Sequence, residues 1–127
     1  MENIKRRRLS AKERNHIFKM VGGKCAYCGC SLHNMSAMQV DHKTPLHIGG
    51  ADTLDNMYPS CRSCNNYKRT LDIEKFREYL AGLPKRLKRD DVAFNVAVRF
   101  GIVEVKEKPV VFYFEKEGIK DVNLQPT

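Results

Sequence analysis

Acid is the scarce charge in this chain. Fifteen Asp and Glu stand against 23 Lys and Arg in 127 residues, a net charge of +8. An excess of that size on a small domain favours polyanionic partners through long-range attraction. Charge alone does not separate DNA from RNA or from an acidic membrane surface, and a merely basic, soluble surface would have the same balance. Long apolar runs are missing as well: none approaches the roughly 20 residues that cross a bilayer. The opening "MENIKRRRLS" is charged but lacks the apolar centre of a secretory signal, so a cytoplasmic protein is expected. Internal repeats, low-complexity tracts and linkers are also absent. What remains is one domain of 127 residues, with 42% apolar residues to build a modest core.

Cysteine, by contrast, is present in a pattern. Four of the five form two pairs, Cys25 and Cys28 in "CAYC" and Cys61 and Cys64 in "CRSC". In a cytoplasmic setting a doubled CxxC reads as a zinc site rather than as two disulfides. Zinc takes four thiolates at the corners of a tetrahedron, and each short knuckle offers two. The stretch between the knuckles is longer than in an ordinary zinc ribbon, so another element must be inserted there. A redox dithiol would need one CxxC beside a thioredoxin-like pattern, which this sequence does not contain. Cys30 is left over, either a spare thiol or a substitute for Cys28.

The rest of the chain divides around the knuckles. Residues 1–23 combine a basic arm, "KRRR" at 5–8, with a helix that Ser10 caps and Glu13 closes as a capping box. Ile17, Phe18 and Val21 give that helix its apolar stripe, and Gly22-Gly23 ends it. Residues 24–70 hold the knuckles, a short strand at Met38–Asp41 and a compact loop over 43–57. Residues 71–120 predict a helix in "LDIEKFREYLAGLP", stopped by Gly82 and Pro84, and a second in "DDVAFNVAVRFGI", opened by Asp90-Asp91 and closed by Gly101. Alternation in "IVEVKEKPVVFYFEK" predicts a hairpin of Ile102–Val105 with Val110–Phe114. There Phe112 and Phe114 are read as packing residues, and the tail "DVNLQPT" as loose.

Between the knuckles lies "VDHKTPLHIGG", where an Asp and a His adjoin at a strand end. A metal ion clamping both knuckles would bring Asp41-His42 close to the helix that starts near Cys64, and so close to Asn65. A carboxylate and an amide oxygen converging there would suit a hard divalent cation such as Mg²⁺. His47 follows Pro45 inside the loop and reads as solvent-facing or substrate-touching. His16 and His33 read as surface residues.

In "CAYC", "VDHKTPLHIGG", "LDNM" and "CRSCNNYK", in that order over residues 25–68, the sequence resembles the HNH family of ββα-metal nucleases, in its four-cysteine zinc form. The resemblance implies an α+β fold: a small ββα-metal core with a four-cysteine structural zinc site, flanking helices and the C-terminal hairpin. It implies Asp41 as a metal ligand, His42 as general base and Asn56 as the brace of the His-bearing loop. Asn65 takes the last position, where many members carry a second histidine, with Asn66 the alternative if the helix starts one residue later. A fainter likeness of "RFGI…VVFYFEK" to phage-borne members places the protein in a bacterial or phage-infected host cell.

Elementary chemistry agrees with those roles. Phosphodiester hydrolysis needs a nucleophile made from water, and an imidazole with an ordinary pKa near 6.5 is suited to take the proton. A divalent ion, Mg²⁺ or Mn²⁺, would stabilise charge on the phosphate and the departing oxygen. Lys43, Arg62, Lys68 and Arg69 are candidates to grip flanking phosphates, and the basic arm would add sequence-independent contacts. The expected protein is therefore a metal-dependent DNA endonuclease, a monomer or weak dimer, nicking double-stranded DNA with little sequence preference. The rival is a zinc-stabilised nucleic-acid-binding module without catalysis, which would have no use for Asp41, His42, Asn56 and Asn65.

Overall fold

In a computed structural model of the chain, which describes residues 7–118, helix α1 (Ala11–Met20) begins as its sequence predicts. Ser10 is extended, its hydroxyl accepts from the Glu13 amide at 3.1 Å, and the Glu13 carboxylate accepts from the Ser10 amide at 3.0 Å. These two reciprocal bonds satisfy donors that the first helical turn would otherwise leave open. Ile17 and Val21 are buried, and the chain then reverses through Gly22 and Gly23, both at positive φ. Lys5, Arg6 and the tail 121–127 lie outside the described residues.

The chain divides into two compact units, one running to Ile73 and resumed from Val111, the other Glu74–Val110. In the first, strands β1 (Gln39–His42) and β2 (Met57–Ser60) pair antiparallel, with Asp41 opposite Tyr58 and His42 opposite Met57. Strand β2 was not legible in the sequence, because Pro59 sits within it. A two-stranded sheet tolerates that proline, since each strand has a free edge where no N–H is required. The Pro59 carbonyl is used instead, accepting from Ala26 of the first knuckle at 2.9 Å. Helix α2 (Arg62–Lys68) follows at once, with Cys61 as its N-cap. The order β1, β2, α2 gives the ββα core that the resemblance implied.

The C-terminal hairpin does not form. Among the described residues the sheet has two strands, and residues 104–112 carry no regular structure. Ile102 and Val103 are taken up in closing helix α5 (Val92–Arg99), their amides donating to the Ala97 carbonyl at 2.9 and 3.2 Å. Phe112 and Phe114 do pack on one side, as their alternation indicates, but their partners are the rings of the first unit. Phe112 lies 5.3 Å from Tyr27 and Phe114 4.7 Å from Tyr58, ring centre to ring centre. The amides of Tyr113 and Phe114 donate to Tyr27 and Ala26 carbonyls, which consumes the bonds a hairpin would need. A short helix, α6 (Tyr113–Lys116), ends the segment.

The second unit is helical: α3 (Ile73–Ala81) leads into it, followed by α4 (Leu83–Asp90) and then α5. Pro84 does not simply stop α3; it stands in the first turn of α4, where its missing N–H costs nothing. Asp91 caps α5, accepting from the Phe94 amide at 2.9 Å. Among the described residues no helix is long and apolar enough to cross a membrane.

Candidate active site

The two knuckles converge. The sulfurs of Cys25, Cys28, Cys61 and Cys64 all lie within 4.8 Å of one another, and Cys28 and Cys61 are 3.9 Å apart. A tetrahedron with zinc–sulfur bonds of about 2.3 Å has edges of about 3.8 Å, so the spacing and the donor chemistry both fit a metal ion of that kind. Cys25 is pulled down to about 4 by its hydrogen bond with Cys64. Cys30 is exposed and outside the cluster, its thiol pushed up to about 12 by desolvation and then by Cys28 and Cys61. The cluster also organises the helix, because the Cys61 sulfur accepts from the Cys64 amide at 3.3 Å.

Strand β1 ends on Asp41 and His42, both buried. One oxygen of Asp41, Oδ2, accepts from the Tyr27 hydroxyl and stands 2.9 Å from the Lys68 ammonium. Burial holds the Asp41 carboxyl above its ordinary value, an effect that Lys68 and Tyr27 reduce but do not cancel. The Tyr27 hydroxyl is raised well above its ordinary value by its own burial and by the charge of Asp41. Lys68 also donates to the His42 carbonyl at 3.0 Å, which ties α2 to the end of β1. Asn65, half-buried, stands one helical turn before Lys68 on α2. Asn66, two residues from Lys68, is exposed.

The loop after His42 is held by Asn56. Its Oδ1 accepts from the Thr44 amide at 3.0 Å, and its Nδ2 donates to the carbonyls of Thr44 and Ala51 at 2.9 and 2.8 Å. The Asn56 carbonyl accepts from the Lys43 amide as well, at 2.8 Å. The Gly pair completes the turn: Gly49 is left-handed at φ +99, while a Cβ on Gly50 would lie 1.8 Å from the Thr44 carbonyl oxygen.

The loop delivers one residue that the sequence reading did not single out. Asp52 Oδ1 lies 2.9 Å from His42 Nε2. An acidic residue in a polar loop has no distinguishing mark; the only signal was the Gly49-Gly50 reversal, which returns the chain toward the strand end. Of the four cations expected to grip phosphate, Arg62 and Arg69 are exposed. Lys43 and Lys68 are not surface cations. Lys43 is buried, donates to the Asp55 carbonyl at 2.9 Å and lies 4.1 Å over the Tyr58 ring. Lys68 is fully buried on Asp41. His16, His33 and His47 are not buried.

Residues 25–70 match the family model described as HNH endonuclease, a stretch that spans both knuckles, β1, the loop, β2 and α2. A solved structure, the Type II-C Cas9 enzyme from Actinomyces naeslundii, is similar over 58% of this chain at 23% identity and a TM-score of 0.48. The matched region spans 8% of that enzyme. No curated protein matches.

Proposed function

We propose that the protein is a metal-dependent endonuclease that hydrolyses phosphodiester bonds of double-stranded DNA, one strand per event, in the cytoplasm. The observation that carries this reading is the convergence of Asp41 and His42, at the end of β1, with the inward face of α2, inside a stretch that matches the HNH endonuclease model. The buried ion pair would serve a non-catalytic zinc module as well; the imidazole that adjoins it, with a carboxylate on its ring, is what favours catalysis.

His42 is the general base, accepting the proton of the attacking water. Asn56 keeps its loop in place. Asp41 and Asn65 supply the carboxylate and amide oxygens for a hard divalent ion, Mg²⁺ or Mn²⁺, whose donor preferences they fit. Tyr27 and Lys68 both meet the Asp41 carboxylate at Oδ2 and so fix its orientation. When bound, the ion stabilises negative charge on the phosphate and the leaving oxygen. The four-cysteine cluster takes structural Zn²⁺. Arg62 and Arg69 meet flanking phosphates, and the absence of a dedicated base-reading element among the described residues fits loose sequence preference, with one site per chain in a monomer or weak dimer.

The test is nicking of supercoiled plasmid with Mg²⁺ or Mn²⁺. Wild-type protein converts it to open circles, and His42→Ala, folded by circular dichroism, does not. Equal cleavage by the variant would remove His42 from the reaction; wild-type protein that binds DNA without cutting it would leave the binding module.

A further inference from the structure

His42 meets two groups, one on its ring and one on its backbone, and they differ in kind. Lys68 holds its carbonyl, which fixes the strand end. Asp52 holds its ring, through Nε2. We propose that Asp52 is the positioning residue of the base: it keeps the His42 proton on Nε2, turns Nδ1 toward the water as the accepting atom, and is itself moored to the N-terminal arm through Arg7. This rests on the reading of His42 as general base.

A neutral imidazole has one N–H and one bare nitrogen, and the partner on one nitrogen decides which is which. An ionised carboxylate accepts hydrogen bonds and donates none. Desolvation pushes the Asp52 carboxyl up, but the hydrogen bonds from the Arg7 amide and from His42 outweigh it and hold the group below its ordinary value. Facing an ionised Asp52, Nε2 carries a proton, and in the neutral ring Nδ1 is then the bare nitrogen.

The orienting group must itself be held. Asp52 Oδ2 accepts from the Arg7 backbone amide at 2.6 Å, and the Arg7 Nε donates to the Asp52 carbonyl at 3.0 Å. The other end of the same guanidinium meets Glu13 at 2.8 Å, and Glu13 is fixed in the capping box of α1. A continuous set of contacts thus runs from α1 through Arg7 and Asp52 to the imidazole. Arg7 belongs to the basic run at 5–8, so the segment charged for polyanions also ends on the carboxylate that orients the base.

The experiment uses the full-length, zinc-loaded protein with ¹⁵N-labelled histidine, read by long-range ¹H–¹⁵N NMR at about pH 8, where an ordinary imidazole is neutral. Wild type is expected to show His42 as the Nε2–H tautomer. Asp52→Asn, whose amide can donate as well as accept, is expected to admit the Nδ1–H tautomer. It should also lower kcat for nicking about 10- to 100-fold, the usual cost of losing an orienting partner, with KM within about twofold. Asp52→Glu should recover part of that loss. A wild-type His42 protonated on Nδ1 overturns the inference without any variant. So does an Asp52→Asn protein with the wild-type tautomer and unchanged kcat. If wild type shows the Nε2–H form, Asp52→Asn loses it, and neither protein cuts DNA, the pairing stands and the nuclease reading fails.

Discussion

The ammonium of Lys68 lies 2.9 Å from the carboxylate of Asp41, and neither side chain reaches far into solvent, at 0% and 5% exposure. The helix and the strand of the ββα core are thus joined by an ion pair rather than by apolar contact alone. Removing one member of such a pair leaves a buried charge without compensation. Lys68→Met is expected to destabilise the metal-loaded protein by roughly 3–5 kcal/mol, measured by urea unfolding. A loss under about 1 kcal/mol, the range of exposed pairs, would mean the pair is solvated in practice.

Asn56 carries a different kind of stability. Its side chain makes three hydrogen bonds to the backbone of Thr44 and Ala51. Asn56→Ala should cost about 1–3 kcal/mol and reduce nicking, because the loop that brings Asp52 to His42 loses its clamp. Asn56→Asp keeps the acceptor for the Thr44 amide but sets a carboxylate oxygen against the Thr44 and Ala51 carbonyls, and should be at least as damaging as alanine. Thermal unfolding and plasmid nicking, measured on the same samples, check the order.

The four-cysteine cluster should be inseparable from the fold. Cys61 supplies a sulfur to the cluster and also caps α2. Cys61→Ser is expected to lose metal and helical signal together, as chelator treatment of wild type should, since structural zinc contributes on the order of 10 kcal/mol to folding. Metal content by mass spectrometry and far-ultraviolet circular dichroism read the two effects. A folded, metal-free variant would contradict the assignment.

Exposed and buried cations should separate in a salt titration. Arg62→Ala and Arg69→Ala are each expected to weaken DNA binding about equally across sequences. Each should also reduce the slope of log affinity against log salt by about 1 if it contacts a phosphate. Lys43→Ala should leave the slope unchanged and lower stability instead, because its ammonium is engaged with the Asp55 carbonyl and the Tyr58 ring.

What the sequence made legible follows from how local each signal is. The capping box of α1 is written in two residues three apart, and Ser10 and Glu13 behave as that spacing requires. The paired knuckles are equally local, and bringing them together is what placed β1 beside α2. Strand β2 was hidden because Pro59 suppresses the strand pattern, and α4 because Pro84 resembles a stop when it is a start. The hairpin failed on tertiary grounds: the alternation at Val110–Phe114 is genuine, but the faces it serves are Tyr27 and Tyr58, far upstream in the chain. The inward turn of Lys68 could have been inferred, since it repeats the face of Asn65 one turn later. Lys43 and Asp52 could not, because their partners depend on how the 43–56 loop closes.

Neighbouring glycines in that loop face opposite fates under random mutation. At position 49 there is open space around the Cα, so the penalty for a side chain is confined to its left-handed backbone, which asparagine tolerates better than most. At position 50 even a methyl group would collide with the main chain at Thr44, the residue gripped by Asn56. A deep mutational library selected for cleavage should therefore show a partly permissive column beside a blank one.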